Sequence, residues 1–324
     1  NFTKMNENSY SLGIDIGGTN TVFGLVSNNG LVLKKKSIKT ESDKGPIYLF
    51  DNLFKQVEAW NSESDETYVL KNIGVGVPNG NFYTGMVVDP PNLGKGWNRL
   101  DLVSLIKKYQ SLPVKITNDA NAAAIGEKHY GAAKNMKDVV IITLGTGLGS
   151  GIIVNDSLLY GYDGFAGELG HIIVDPNGRM CGNGRKGPLE MYVSAKGVKY
   201  TISEYIEKYP DNDFINKIKN DGYSGKELDA AYDDGVEIIK EIYEFTGKML
   251  GIGLAQAATI LSPEAFIFYG GLSNAKHRIL DYAKKYMDEN LLSFQKGKIK
   301  LLLSQLPDGE AGILGSTCLH KVKL

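Results

Sequence analysis

The sequence has few of the features that mark secreted, membrane-spanning or nucleic-acid-binding proteins. Only two cysteines occur, Cys181 and Cys318, too few for a disulfide framework and typical of a reducing compartment. No apolar run reaches about 18 residues, so no membrane span is predicted. The 36 basic and 37 acidic residues nearly cancel, which leaves no general attraction to nucleic acid or to an anionic membrane. We therefore expect neither nucleic acid nor a membrane as a partner.

The sequence also lacks a signal peptide and a Walker pattern, which limits the expected location of the protein and the kind of loop that could bind a nucleotide. The first ten residues, NFTKMNENSY, contain no apolar stretch of the kind found in signal peptides, so a cytoplasmic location is expected. The Walker pattern G-x-x-x-x-G-K-[ST] also does not occur in the chain. A bound nucleotide would therefore be held by another kind of loop.

Glycine is the residue in excess, with 39 among 324 residues, about 12% against a usual level of roughly 7%. The stretch Ile14–Thr19 lines up with Ile142–Gly147, and in both an apolar strand runs into a glycine-rich turn and a second strand. A repeated hairpin of this kind, each copy heading a mixed strand and helix segment, predicts two similar α/β domains facing each other. Chance similarity between two Gly/Thr turns is the alternative.

The first glycine loop is Asp15–Asn20, with the sequence DIGGTN. Gly17 and Gly18 allow backbone N–H groups to approach a phosphate without interference from a Cβ. The Asp15 carboxylate is suited to Mg²⁺, which prefers oxygen ligands. The alternative is a hairpin turn that needs glycine for a positive φ.

The second glycine loop is Thr143–Gly147, at the start of a stretch with four glycines between two predicted strands. Such a run weakens a sheet unless something approaches the backbone closely. Because no helix follows it, the loop resembles a hairpin that clamps phosphate rather than a helix N-terminus.

Two polar groups complete the pattern. Asp119 follows a predicted strand and begins a predicted helix, where it could act as a general base or, with Asn118, simply cap the helix. Glu168, His171 and Glu190 supply the carboxylate and imidazole groups that a polyhydroxylated ligand requires. Farther on, Ser224-x-x-Glu227 predicts a capping box opening a long helical stretch to Leu261, and GEAGILGSTCLHKV predicts a closing helix.

With these motifs in order, the chain resembles the ROK family of sugar kinases and sugar-responsive repressors, from about Leu12 to the C-terminus. The resemblance implies an α/β fold of the actin/hexokinase-like (ribonuclease-H-like) type, duplicated into two domains with a cleft between them. It implies a small domain of residues 1–117 plus 310–324 and a large domain of residues 118–309. A homodimer is also implied by the resemblance alone.

The resemblance further assigns roles to residues. Phosphate contacts are implied for Asp15, Gly17, Gly18, Thr19, Asn20, Thr143, Gly145, Thr146 and Gly147, with Gly270 and Gly271 beside the adenosine. Sugar contacts are implied for Asn79, Asn118, Asp119, Glu168, His171 and Glu190. Asp119 is implied to be the general base, and Asp15 to hold the Mg²⁺ that accompanies ATP. Trp97 resembles a residue near the sugar pocket, but packing its own loop is an equally good interpretation.

One departure from the family is plain. Its members usually carry a zinc knuckle of one histidine and three cysteines, in the pattern C-x-C-G-x-x-G-C-x-E. Here His171 and Cys181 remain, while Asn183 and Pro188 stand at the other two ligand positions. Because structural zinc needs four nitrogen or sulfur ligands, we expect no structural zinc.

The expected activity is ATP-dependent phosphorylation of a hexose at its 6-hydroxyl, with glucose favoured. Alternatives within the same chemistry are N-acetylmannosamine, N-acetylglucosamine, fructose and allose. A sugar-sensing repressor of the same family is the rival class, although about eleven residues before the first strand leave little room for a helix-turn-helix. A catalytically inactive sugar-binding protein is the third possibility.

Overall fold

The computed structural model describes residues 9–62 and 68–322. The sequence prediction about a leader therefore lies largely outside the described residues. Two compact units are formed, the first from 1–137, 151–167 and 305–324, and the second from 138–150 and 168–304. Residues 118–137 group with the first unit, so this division differs from the predicted boundary at 117/118. Within the described ranges, no helix is both long and apolar enough to cross a membrane.

The elements follow in chain order. The strands are β1 (Ser9–Ile16), β2 (Asn20–Val26), β3 (Val32–Lys39), β4 (Val69–Gly76), β5 (Met86–Val87), β6 (Leu100–Asp101), β7 (Val114–Thr117), β8 (Val139–Leu144), β9 (Leu148–Val154), β10 (Ser157–Leu158), β11 (Ala265–Tyr269) and β12 (Lys300–Leu303). The helices are α1 (Gly45–Ser62), α2 (Leu102–Lys107), α3 (Asp119–Tyr130), α4 (Glu190–Val193), α5 (Ala195–Lys208), α6 (Asp213–Asp221), α7 (Gly225–Asp233), α8 (Glu237–Leu261), α9 (His277–Asn290) and α10 (Ala311–Cys318).

The two large sheets have equivalent strand orders, β3-β2-β1-β4-β7 and β10-β9-β8-β11-β12. In the first sheet β1 and β3 are antiparallel to β2, and β4 is parallel to both β1 and β7. In the second, β10 is antiparallel to β9, and β11 is parallel to both β8 and β12. The hairpin repeat seen in the sequence is therefore a repeat of sheet topology.

Glycines in the first sheet explain where helix α10 lies. Gly24, Gly13 and Gly74 are direct neighbours across β2, β1 and β4. A Cβ on Gly13 would overlap the backbone of Ile313, and one on Gly74 would overlap that of Ser316. The row of glycines thus forms a flat strip that allows α10 to contact the sheet backbone.

Helix α3 packs equally closely against α10. A Cβ on Gly315 would overlap the carbonyl oxygen of Ala122, and one on Gly126 would overlap that of Ala311. The opposite face of the sheet is covered by α1, whose apolar side chains include buried Leu49, Phe50 and Leu53. The first unit is therefore a sheet between α1 on one face and the α3–α10 pair on the other.

The predicted helical stretch from Ser224 to Leu261 is wrong in one respect. The capping box of Ser224 and Glu227 is formed and opens α7. Gly235, with φ 83°, interrupts the stretch, and α8 begins only at Glu237. A left-handed backbone cannot continue a right-handed helix, so the predicted helical stretch consists of two helices with a break between them. The predicted closing helix is confirmed as α10.

Candidate functional site

Two carboxylates meet at one edge of the first sheet. Asp15 lies near the end of β1, and Asp119 begins α3 directly after β7. Gly76 ends β4, the strand between them. A Cβ on Gly76 would lie 3.4 Å from the Asp119 Cα and 3.5 Å from Asp15 Oδ1. Because parallel strands bring their carboxyl ends to one edge, the topology makes neighbours of two residues far apart in sequence.

The pair is electrostatically unfavourable when both members are ionised. Burial, reinforced by the negative charge of Asp119, raises the pKa of Asp15 to about 7. Gly312, in the first turn of α10, closes over Asp15 so tightly that a Cβ there would overlap the carboxylate. A bound cation would relieve the repulsion, which makes Asp15 a fitting ligand for the metal of a nucleotide complex. The importance of Gly312 was not predicted, although the spacing of small residues in AGILGS was the available signal.

The hydrogen bonds at the start of α3 show which residue caps the helix. The Ala120 N–H donates to Asn118 Oδ1 and to Asp119 Oδ1, each at 2.9 Å. Asn118 is therefore the helix N-cap. Capping by Asn118 is thus formed, and the role of Asp119 as a general base stays a prediction.

The first glycine loop is a tight turn whose shape does not come from positive φ. The Gly17 N–H donates to the Asn20 carbonyl at 3.0 Å, and Thr19 and Asn20 are exposed at the tip. Neither Gly17 nor Gly18 is among the residues with positive φ, so the alternative explanation from the sequence is wrong. Space is the constraint instead, because a Cβ on Gly18 would lie 2.8 Å from the Asn92 Cβ.

Two residues expected near a sugar pocket, Asn79 and Trp97, each donate a hydrogen bond to a backbone carbonyl. Asn79 has φ 53°, and its side-chain amide donates to the Asp89 carbonyl at 2.9 Å, which ties down its own turn. Trp97 is 0% exposed, and its indole N–H donates to the Ser42 carbonyl at 3.3 Å. Trp97 therefore packs its loop, and the packing interpretation is confirmed.

In the second unit, the second glycine loop is fastened to helices α4 and α5. Glu190 Oε2 accepts the Leu148 N–H at 2.8 Å, just after the loop. The Gly145 carbonyl accepts the Ala195 N–H at 2.9 Å. A Cβ on Gly147 would lie 2.5 Å from Glu190 Oε2. The Glu190 carboxylate thus occupies the space that a side chain at position 147 would need, and a larger residue there would displace it.

The structure brings Glu168, His171 and Glu190 into one cluster. His171 Nε2 lies 3.8 Å from Glu168 Oε2. Burial raises the pKa of Glu168, partly opposed by His171 and reinforced by the charge of Glu190. His171 Nδ1 is buried and has no hydrogen-bond partner among the described residues. Such a set of partly buried donors and acceptors is able to hold several hydroxyl groups.

The glycines expected beside adenosine lie at the end of the neighbouring strand. Tyr269 of β11 pairs with Thr143 of β8, so Gly270 follows next to the second glycine loop. Gly270 has φ 103°, and a Cβ there would lie 2.6 Å from the Leu144 carbonyl oxygen. Gly271 has open space at its Cβ position.

The residues at the zinc-knuckle positions do not fit a zinc ion. The Cys181 thiol donates to Asn183 Oδ1 at 2.7 Å. Pro188 offers no donor atom and forms a β-bridge with Ile173. Across residues 9–62 and 68–322, no group of three or more His, Cys, Asp or Glu side chains is placed to hold a metal ion.

Comparison with known proteins gives consistent results. The sequence profile of the ROK family matches residues 11–323. A glucokinase of Streptomyces coelicolor is 30% identical over 96% of this chain and 97% of its own length. The xylose repressor of Bacillus subtilis is 29% identical over 92% of this chain and 73% of its own length.

Among solved structures, a ROK family glucokinase from Streptomyces griseus in complex with glucose and AMPPNP superposes with a TM-score of 0.80. It shares 31% identity and covers 96% of this chain and 98% of its own. The predicted actin/hexokinase-like α/β fold is confirmed by this similarity.

Proposed function

The chain belongs to the ROK family, and we propose that it transfers the γ-phosphate of ATP to the 6-hydroxyl of a hexose, with glucose preferred. The observation that carries the proposal is the pairing of Asp15 with Asp119 at one sheet edge, where burial and the negative charge of Asp119 raise the pKa of Asp15.

Each residue then has a role that fits phosphoryl transfer. Asp119 takes the proton of the attacking 6-hydroxyl. Asp15 would hold, directly or through water, the Mg²⁺ that accompanies ATP, and a metal bound there would supply positive charge against the developing negative charge. N–H groups of the two glycine loops face the phosphates. Gly270 and Gly271 accommodate the adenosine.

The sugar is held by a second group of residues. Sugar contacts are proposed for the residues that family membership implies, which are Asn79, Asn118, Glu168, His171 and Glu190. The relatives support glucose, since the similar Streptomyces griseus protein was solved with glucose and AMPPNP. The similarity to xylose repressors favours a second candidate function, a sugar sensor without catalysis.

A coupled assay of ADP release tests both candidates. Glucose, fructose, allose, xylose, N-acetylmannosamine and N-acetylglucosamine would be compared, with the Asp119→Asn variant as control. We expect kcat/KM for glucose to exceed that for every other sugar at least tenfold. A tenfold preference for an N-acetylated sugar would overturn the choice of glucose. Binding of a sugar by calorimetry without any ADP release would favour the sensor.

A further inference from the structure

The segment of residues 175–190, called here the knuckle segment, is fastened by the side chain of Arg179. All five N–H donors of its guanidinium are engaged. Nε and one Nη2 donor bind the carboxylate of Glu204 at 2.7 and 2.6 Å, and the other Nη2 donor reaches Thr201 Oγ1 at 2.9 Å. Nη1 donates to the carbonyls of Met191 and Gly197 at 2.8 and 3.0 Å. Arginine has five donors in a fixed fork, so none remains to be satisfied.

The same residue is also held by its ring neighbours and its backbone. Its guanidinium carbon lies 4.7 Å from the ring centre of Tyr192 and 5.7 Å from that of Phe245. The Arg179 N–H donates to the Tyr192 hydroxyl at 2.9 Å, and its carbonyl accepts the Gly187 N–H at 2.7 Å. The side chain is only 10% exposed. Ordinary surface ion pairs contribute little, but a desolvated and fully bonded guanidinium is a fixed cross-link.

Arg179 thereby joins the knuckle segment to α4 and α5. Met191 lies in α4, and Gly197 lies in the first turn of α5. These two helices also supply Glu190, which accepts the Leu148 N–H just after the second glycine loop, and Ala195, whose N–H donates to the Gly145 carbonyl within the loop. Hydrogen bonds therefore connect Arg179 to α4 and α5, and other hydrogen bonds connect these two helices to the loop.

We propose that Arg179 is a positioning residue that fixes the second glycine loop and Glu190, and so sets the affinity for both sugar and nucleotide. This inference rests on the proposed function for what those two elements bind. Arg179 touches neither ligand in the proposal. It acts in a segment that has lost two of the four ligand positions of a zinc knuckle, where a guanidinium cross-link supplies the order that a metal would otherwise provide.

The test compares Arg179→Ala and Arg179→Lys with the matched control Arg278→Ala. Arg278 lies in the same unit, is 16% exposed and forms an ion pair with Asp233, but it has no contact with α4 or α5 among its hydrogen bonds. Arg179→Ala should raise KM for glucose and for ATP at least tenfold. Arg179→Lys should recover less than half of the loss, because an ammonium cannot reproduce the fork. The control should stay within twofold of wild type.

Two further readouts separate positioning from simple loss of stability. Hydrogen exchange should quicken at least tenfold at the Leu148 and Ala195 amides in Arg179→Ala, with no change there in the control. Added guanidinium at millimolar concentration should partly restore both KM values. If Arg179→Ala is poorly folded, hydrogen exchange at the same two amides would be measured in Arg179→Lys and in Thr201→Val instead.

The positioning role of Arg179 and the proposed function of the protein can fail separately. A lower melting temperature with unchanged KM values and unchanged exchange at Leu148 and Ala195 would overturn the positioning role. A wild-type protein that phosphorylates no sugar would defeat the proposed function instead. The exchange measurement needs no turnover, so it would still report on Arg179 in that case.

Discussion

Asp119 stands at the first position of a helix and also beside a second carboxylate, so its substitution separates two roles. Asp119→Asn keeps an oxygen for the Ala120 N–H that Oδ1 now accepts, but an amide cannot take a proton. We expect kcat to fall by about 10²–10⁴ while sugar affinity stays within a few fold. Steady-state kinetics and calorimetry would measure the two quantities.

Asp213 provides the matched control for this substitution. It too is the first residue of a helix with an asparagine N-cap, Asn212. Asp213→Asn should leave turnover unchanged. Wild-type turnover in Asp119→Asn would mean that Asp119 is only a helix residue, and the mechanism would be wrong.

Asp15 should make the stability of the protein depend on pH. Its pKa is about 7 in the folded chain against 3.8 when exposed, so the folded state prefers the protonated form. As pH rises from about 4 to 7, the folded protein therefore loses stability. Asp15→Asn removes this loss, and its free energy of unfolding should exceed that of wild type at pH 8. The difference should vanish below pH 4.

Urea unfolding at pH 4, 6 and 8, without nucleotide or magnesium, would measure this difference. Asp101→Asn is the control, and it should lower the free energy of unfolding instead of raising it. The reason is that hydrogen bonds from Ser104 lower the pKa of Asp101. Its wild-type carboxylate stabilises the fold above pH 3.8, and that contribution is lost as pH falls further. If the free energies of unfolding of Asp15→Asn and wild type differed by the same amount at every pH, burial and Asp119 would not destabilise the ionised form of Asp15.

At the scale of an element, the second glycine loop contains two glycines with different constraints. A Cβ on Gly147 would meet the Glu190 carboxylate, whereas one on Gly145 would meet nothing within 4 Å. Gly147→Ala should displace Glu190 from the Leu148 N–H and raise KM for sugar about tenfold, an energy near 1.4 kcal/mol. Because a side chain can move aside, thermal stability should change little.

Gly145→Ala is the matched variant in the same loop. It should spare the sugar KM and the fold, and should raise KM only for ATP if phosphate approaches that backbone. Equal effects of the two substitutions on sugar KM would contradict the role given to Glu190.

The knuckle segment carries a prediction about metal content. With Asn183 and Pro188 at two of the four ligand positions, purified protein should contain no stoichiometric zinc. Elemental analysis of protein prepared without chelator measures this directly. One zinc per chain, removed by chelator together with a drop in melting temperature, would mean that other residues complete the site.

At the scale of the whole molecule, we expect a homodimer because the resemblance to the ROK family implies one. Light scattering over a concentration series should give a mass near twice the 35.3 kDa of one chain. A mass of a single chain at every concentration would contradict the expectation. Arg278→Ala should keep the mass of wild type, since that side chain is engaged within its own chain by Asp233.

The sequence by itself determined the repeated part of the molecule. Apolar strands and glycine turns are local patterns, and they were enough to predict two sheets with the same hairpin at their head. The strand-to-helix junction at Asp119 and the capping box of Ser224 could be located for the same reason, because a cap depends on residues two or three positions apart.

Only the tertiary structure decided which distant residues meet. The order of strands places Asp15 beside Asp119, and the packing of α10 brings Gly312 against Asp15. The raised pKa of Asp15 depends on this burial and on Asp119. The five hydrogen bonds of Arg179 depend in the same way on the packing of its segment against α4 and α5. Sequence periodicity reports which face of an element is buried, but the partner of that face is set by chain topology and close packing, which no local pattern encodes.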